Sequence, residues 1–100
     1  MRLLLVDDDP ALVRLMAMAL ERDGWEVVAA TSLAEAVTAG GPFAAVVADV
    51  RLPNGDGRHL QALYPDVPFL TISGAPQERP SLAKPFSMRE LRDAVREAVE

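Results

Sequence analysis

Four short apolar runs constrain the fold of this chain more than any other feature. They are "LLLV" at 3–6, "WEVVAA" at 25–30, "FAAVVADV" at 43–50 and "PFLTIS" at 68–73. An apolar run of this length suits a strand that is buried on both faces, and the stretches between the runs carry apolar residues at helical spacing. Strands that alternate with helices predict an α/β fold with a doubly wound parallel sheet.

Capping and turn residues place the helices between these strands. Asp9 and Pro10 predict an N-cap followed by proline at the first helical position, and Gly24 predicts the end of that helix. The capping-box pattern S-x-x-E begins at Ser32 and again at Ser87. A short helix is expected near residues 59–64, and residues 81–83 are expected to form a fifth strand.

Size and composition predict one globular domain over residues 1–100. Half of the 100 residues are hydrophobic and a quarter are charged, so disorder is not expected. The chain has no cysteine and a single histidine, which excludes thiolate metal sites and most histidine zinc sites. Its net charge of -5 argues against direct binding of nucleic acid. Neither a signal peptide nor a membrane span is evident, so the expected location is the cytoplasm.

The candidate functional residues follow the carboxyl ends of the predicted strands, where α/β sheets bind their ligands. They are Asp7, Asp8, Asp49, Ser73, Gly74 and Lys84. Two carboxylates about 4 Å apart repel each other by about 4 kcal/mol at an effective dielectric constant near 20, so three of them require protonation or a cation. Oxygen ligands of this kind favour Mg²⁺. A carboxylate in such a site can attack a phosphoryl group and form an acyl phosphate.

Four motifs, taken in order, resemble the receiver domains of bacterial two-component response regulators. "LLLVDDDP" resembles the first strand and acidic pair of that family, and "DVRLPNGDG" fits its D-x-x-x-P-x-x-x-G pattern around the phosphoaccepting aspartate, here Asp49. "PFLTISGA" is similar to the fourth strand with its terminal hydroxyl residue, and "LAKPF" carries the Lys84-Pro85 pair. The resemblance covers essentially the whole chain. It implies a flavodoxin-like, doubly wound, five-stranded parallel sheet with the strand order 2-1-3-4-5.

The resemblance also implies a metal site and a phosphoryl donor. Asp49 would accept phosphate from a histidine kinase or a histidine phosphotransfer protein. Asp8 and Asp49 would bind Mg²⁺ through their side chains, Arg51 through its backbone carbonyl, and Asp7 mainly through a metal-bound water. The domain would catalyse its own phosphotransfer and a slow loss of phosphate, without being a stand-alone enzyme.

The remaining implied roles concern the phosphoryl oxygens and the output. The Ser73 hydroxyl and the Gly74 N–H would contact these oxygens, and Lys84 would pair with Asp49 before phosphorylation and with phosphate afterwards. Asp49, Ser73 and Lys84 are therefore the expected catalytic residues, and the Lys84-Pro85 bond is often cis in this family. The acyl phosphate would shift the conformation and so control an unidentified downstream protein or attached output domain.

Two departures from the family pattern affect the expected output. Only residues 74–83 separate Ser73 from Lys84, about half the usual spacing, and two prolines lie among them. The fourth helix is therefore expected to be shortened or missing. The family also tends to place an aromatic residue three positions before the lysine, where this chain has Ser81. The usual coupling to an aromatic side chain cannot operate in that form.

Two other functions compete with the phosphorylated receiver. A receiver-like interaction module without phosphate control would explain the lost helix but not the complete acidic set. A haloacid-dehalogenase-like phosphatase would resemble D-x-D-x-T after the first strand, whereas this chain reads "DDDPA" there. His59 is expected to face solvent rather than donate phosphate. Arg51, two residues after Asp49, is expected to slow or modulate dephosphorylation.

Overall fold

The computed structural model describes residues 1–53, 55–74 and 81–100 of the chain. Its strands are β1 (Arg2–Val6), β2 (Glu26–Ala30), β3 (Ala45–Asp49), β4 (Arg51–Leu52), β5 (Gly55–Asp56), β6 (Phe69–Ser73) and β7 (Ser81–Ala83). Its α-helices are α1 (Pro10–Arg22), α2 (Leu33–Ala39), α3 (Leu60–Leu63) and α4 (Met88–Val99), and a 3-10 turn spans Gly57–His59.

Five of these strands form one sheet in the order β2-β1-β3-β6-β7, with every pair parallel. This is the predicted order 2-1-3-4-5, because β4 and β5 pair only with each other, in a short antiparallel hairpin. The flavodoxin-like α/β prediction is therefore confirmed. Within the motif around Asp49, Gly55–Asp56 form a hairpin strand, and the chain then returns toward the end of β3, where the Gly57 N–H donates to the Val50 carbonyl.

The sheet is covered on both faces, as its apolar runs require. On one face, α1 and α4 pack against alternate strand residues, including Leu3, Leu5 and Val47. On the other, residues of α2 and α3 pack against Leu4 and Val46. The side chains of residues 3–6 in β1 and of β3 are almost completely buried, which explains why both runs are apolar without alternation.

The predicted helix caps are confirmed, with one difference. The Asp9 carboxylate accepts hydrogen bonds from the N–H groups of Ala11 and Leu12, and the capping box at Ser87 is complete. At α2 the Ser32 hydroxyl accepts from the Glu35 N–H, but the Glu35 carboxylate binds Thr31 instead of closing the box. Thr31 donates two hydrogen bonds to that carboxylate, one from its N–H and one from its hydroxyl, whereas a capping box would provide only the Ser32 N–H.

The connection between β6 and β7 is short. Residues 74–80 join two parallel strands that usually need a crossover of about a dozen residues or more. The predicted loss of the fourth helix falls on residues 75–80, which lie outside the described residues. Within the described ranges, no helix combines the length and apolar character that a bilayer crossing demands.

Candidate functional site

The carboxyl ends of the sheet strands bring three aspartates together. Asp7 follows β1 directly and Asp49 is the last residue of β3, the neighbouring strand. Asp7, Asp8 and Asp49 each place one carboxylate oxygen within 4.8 Å of the others. The cluster that the sequence predicted from strand order alone is therefore present in the structure.

Lys84 provides the positive charge of this cluster. It follows β7, and its Nζ lies 2.9 Å from Asp49 Oδ2 and 3.1 Å from Asp7 Oδ2. Partial burial acts to lower the pKa of Lys84, but the contacts with Asp49 and Asp7 outweigh it and raise that pKa. Lys84 is therefore held as an ammonium ion that bridges two carboxylates. The Lys84-Pro85 peptide bond is cis, as the resemblance implied.

Asp7 is the buried member of the acidic cluster. Its side chain is 0% exposed, and its Oδ1 accepts a hydrogen bond of 3.0 Å from the Asp9 N–H. Burial raises the pKa of Asp7, although the Asp9 hydrogen bond and Lys84 act in the opposite direction. No described donor is aligned for a hydrogen bond to Oδ2, so Lys84 meets that atom only as an ion-pair partner. Asp8, in contrast, is exposed.

Asp49 is fixed from two sides. Its Oδ1 accepts a 3.0 Å hydrogen bond from the Arg51 N–H, and its Oδ2 accepts one from Lys84. The backbone of Gly57 also lies in close contact with the backbone of Asp49. A Cβ on Gly57 would lie only 1.9 Å from the Asp49 carbonyl oxygen. Gly57 also donates its N–H to the Val50 carbonyl at 2.9 Å. The motif therefore requires glycine at position 57, because the two backbone segments approach too closely for a side chain to fit.

Ser73 and Gly74 occupy the end of β6 at the same edge. Ser73 is buried, and its carbonyl accepts a 2.9 Å hydrogen bond from the Lys84 N–H, so β6 and the lysine are tied together. Gly74 is exposed, and a Cβ there would meet no atom of the described residues within 4 Å. His59 is exposed in the 3-10 turn, as predicted, and does not belong to the acidic cluster.

Sequence reasoning missed an ion pair in the hairpin. The Asp56 carboxylate accepts hydrogen bonds from the Arg58 N–H and from its guanidinium, with Nη2 at 2.5 Å from Oδ2. The guanidinium contact is the main cause of the lowered pKa of Asp56. The spacing D-x-R could have suggested it, but only the fold of the turn decides whether the two side chains meet.

Comparisons with known proteins place this geometry in a family. The response regulator receiver protein CpdR of Brucella abortus is 30% identical, over 90% of this chain and 89% of its own length. The structure of the non-phosphorylated HemR receiver domain from Leptospira biflexa superimposes with a TM-score of 0.86 at 31% identity, over 99% of this chain and 94% of that one. The chain belongs to the receiver domains of two-component response regulators. Its relatives are signalling domains rather than stand-alone enzymes.

Other matches differ in length from this chain. The transcriptional regulatory protein TrcR of Mycobacterium tuberculosis is 35% identical over 90% of this chain, which spans only 42% of that regulator. The alignment runs over 108 residues although this chain has only 100, so the regulator has positions that this chain lacks. No protein-family model matches the chain.

Proposed function

We propose that the chain receives a phosphoryl group on Asp49 and that the resulting acyl phosphate is its signal. The observation that carries this proposal is the set of contacts that the Asp49 carboxylate makes. It accepts a hydrogen bond from the Arg51 N–H, pairs with Lys84 and lies close to the carboxylates of two further aspartates. A surface carboxylate with no function would not need this arrangement. In phosphotransfer, the P–N bond of a phosphohistidine donor breaks as a P–O bond to Asp49 forms.

The residues of the acidic cluster fit a divalent cation. Three carboxylate oxygens converge within 4.8 Å, and within the described ranges the buried Asp7 Oδ2 has no aligned hydrogen-bond donor. All-oxygen ligands of this kind favour Mg²⁺, which would be held by Asp8, Asp49 and the Arg51 carbonyl, with Asp7 acting through water. A bound Mg²⁺ would neutralise the carboxylates and stabilise charge on the phosphoryl oxygens.

Lys84, Ser73 and Gly74 would act on the phosphoryl oxygens. Once Asp49 is phosphorylated, its carboxyl group no longer carries the charge that holds Lys84 at 2.9 Å, and the ammonium ion would pair with the phosphoryl group instead of with Asp49. The hydroxyl of Ser73 and the N–H of Gly74 stand at the end of the adjacent strand, where they would donate to the remaining oxygens. These roles make Asp49, Lys84 and Ser73 the catalytic residues.

A partly apolar surface beside this site fits a helical phosphodonor protein. Leu12, Lys84, Pro85 and Phe86 line a cavity of about 420 Å³. Along α1, Leu15 and Met18 are 55% and 53% exposed, and their i, i+3 spacing places them side by side. An amphipathic helix of a histidine kinase or phosphotransfer protein would cover these side chains while presenting its histidine to Asp49.

This docking surface is testable without a known partner pathway. Leu15→Asp should reduce phosphotransfer from a histidine kinase that phosphorylates the wild type, while acetyl phosphate should still phosphorylate the variant at the wild-type rate. Val37→Asp is the matched control, because Val37 is 50% exposed on α2, a helix on the opposite face of the sheet. Equal losses in both variants would contradict this docking surface.

The central test is formation of the acyl phosphate itself. With acetyl phosphate and Mg²⁺, intact-mass spectrometry should show one added phosphoryl group on the wild type and none on Asp49→Ala. Beryllofluoride with Mg²⁺ should alter the amide spectrum of the wild type only. If the wild type forms no adduct, the competing function, a receiver-like interaction module without phosphate control, is the correct one.

The same proposal extends to the bounds of the domain, its location in the cell and its output. We take residues 1–100 as one receiver domain that works in the cytoplasm, where ATP-dependent kinases supply its phosphoryl groups. Its net charge of -5 disfavours direct contact with nucleic acid or an anionic membrane surface. The output therefore passes through a downstream protein or an attached domain.

A further inference from the structure

A cavity of about 260 Å³ lies at the edge of the sheet opposite to the acidic cluster. Two residues of its wall, Met1 and Trp25, directly precede β1 and β2, so the cavity lies beside the amino ends of these strands. Asp7 and Asp49, in contrast, lie at the carboxyl ends of β1 and β3. The C-cap of α1 and the second half of α4 complete the wall. The phosphoryl site proposed above therefore does not use this cavity.

One side of the cavity is apolar and held in place by the core. Trp25 and Val99 are half-buried, and both pack against the core cluster between the sheet and the helices α1 and α4. The backbone of Trp25 is also fixed, because its N–H donates to the Leu20 carbonyl at 3.3 Å. An aromatic ring can pack against the indole of Trp25 in an offset-stacked or edge-to-face arrangement.

The other side of the cavity carries a guanidinium that is available for an anion. The Arg92 guanidinium is occupied, since it donates to both carboxylate oxygens of Asp23 at 2.9 and 2.6 Å. Arg96, one turn further along α4, has only Asp93 as an ion-pair partner among the described residues, at 3.8 Å. The side chains of Arg96 and Asp93 are 59% and 61% exposed, and an ion pair of this length and exposure is weak.

We propose that this cavity binds small aromatic carboxylates, with the ring against Trp25 and Val99 and the carboxylate on Arg96. A guanidinium can donate two parallel hydrogen bonds to a carboxylate, and the Asp23–Arg92 pair is already neutral as a unit. A cationic ligand would be repelled by Arg96. Sites for drug-sized ligands have volumes of about 300–1,000 Å³, so this smaller cavity fits a ligand with a single ring. The inference does not rest on the phosphorylation of Asp49.

Trp25 makes this binding measurable, because it is the only tryptophan of the chain. Phenylacetate is the probe, and phenylacetamide is its neutral counterpart of almost the same shape. Titration of the full chain with phenylacetate at constant ionic strength should change the Trp25 emission with a dissociation constant on the order of 1 mM. Phenylacetamide should bind about two- to fivefold more weakly, as expected for loss of a solvent-accessible ion pair. Acetate, which lacks the ring, should leave the emission unchanged at the same concentrations.

Substitution of Arg96 should remove the preference for the carboxylate. In Arg96→Gln the affinity for phenylacetate should fall to that for phenylacetamide, while the affinity for phenylacetamide stays at the wild-type value. Arg96→Lys should keep most of the preference, because the charge remains. Arg89→Gln is the matched control, since Arg89 is an exposed cation on the same helix and does not line the cavity. It should leave both affinities unchanged.

The outcomes separate ligand binding from a purely structural role of Arg96. A cation in the last turn of a helix stabilises the helix dipole, so Arg96→Gln should lower the unfolding midpoint slightly whether or not a ligand binds. Only contact with the carboxylate changes the ratio of the two affinities. Equal binding of phenylacetate and phenylacetamide by the wild type, a preference that persists in Arg96→Gln, or no change in emission with phenylacetate overturns the proposal. Failure of acetyl phosphate to phosphorylate Asp49 would overturn the proposed function alone.

Discussion

At the residue scale, the three adjacent aspartates Asp7, Asp8 and Asp9 differ in burial and in the contacts that they make. Asp7 is enclosed and contacts Lys84, Asp8 is exposed at the edge of the acidic cluster, and Asp9 caps α1. Three like charges in a row would otherwise destabilise this edge. The structure resolves the conflict by giving Asp7 and Asp9 separate donors and leaving Asp8 to solvent, where a cation can reach it.

Substitution of the neighbouring aspartates should separate metal binding from stability. Asp8→Ala should abolish tight Mg²⁺ binding, because it removes an exposed carboxylate of the cluster. Asp9→Ala should leave Mg²⁺ affinity near the wild-type value but cost about 1 kcal/mol in the free energy of unfolding, because two helical N–H groups lose their cap. Titration calorimetry and urea denaturation measure the two effects. Tight Mg²⁺ binding by Asp8→Ala would contradict the assignment.

Gly57 should prove as necessary to the site as its carboxylates. A Cβ at Gly57 would overlap the Asp49 carbonyl oxygen, so Gly57→Ala must displace the hairpin or the end of β3. We expect a loss of about 3 kcal/mol in the free energy of unfolding, together with weaker Mg²⁺ binding. Gly74→Ala is the control, since its Cβ would meet no described atom within 4 Å, and its stability should change by less than about 1 kcal/mol. Similar losses in the two variants would refute the steric explanation.

At the scale of elements, one ion pair ties the end of α1 to α4. Asp23, the C-cap of α1, accepts hydrogen bonds from the Arg92 guanidinium at 2.9 and 2.6 Å. These bonds lower the pKa of Asp23. Both helices also pack on the same face of the sheet, so the pair fixes the ends of two elements that already share a core.

The Asp23–Arg92 pair predicts a pH-dependent contribution to stability. Because the folded-state pKa of Asp23 lies below its unfolded value, the pair stabilises the fold above about pH 4, and this contribution is lost as the pH falls through the folded-state pKa. Asp23→Asn should therefore be less stable than the wild type at pH 7 and approach it as Asp23 becomes protonated in acid. Asp93→Asn is the control, since Asp93 lies 3.8 Å from Arg96 and both are exposed. A pH-independent difference for Asp23→Asn would contradict this.

The short connection between β6 and β7 lies next to strand residues that are mostly small or polar. Toward the face covered by α2 and α3, Phe69 is the last large apolar residue of β6, and the positions that follow it in β6 and β7 are Thr71, Ser73, Ser81 and Ala83. Small and polar side chains at this edge do not require a long apolar helix to cover them. The sequence prediction of a reduced fourth helix is consistent with this edge, although residues 75–80 themselves lie outside the described part.

At the scale of the whole molecule, the proposed Mg²⁺ site at the acidic edge predicts that the stability of the fold depends on metal. Any ligand that binds only the folded state stabilises it, by about 2.7 kcal/mol at a concentration 100 times its dissociation constant. MgCl₂ should therefore raise the melting temperature of the wild type more than NaCl of equal ionic strength. Asp8→Ala should remove this difference. A wild type that melts equally in both salts would contradict the Mg²⁺ site.

The sequence by itself determined the parallel sheet, the caps of α1 and α4, and the meeting of Asp7, Asp49 and Lys84 at one edge. It could do so because strand periodicity and strand order act through local patterns, and because the carboxyl ends of parallel strands share an edge. Only the tertiary structure decided which aspartate is buried, that Lys84 also contacts Asp7, and that Arg58 pairs with Asp56. These depend on distances between segments far apart in the chain or folded back on each other. Burial and pairing energies change over a few ångströms, which residue spacing does not specify.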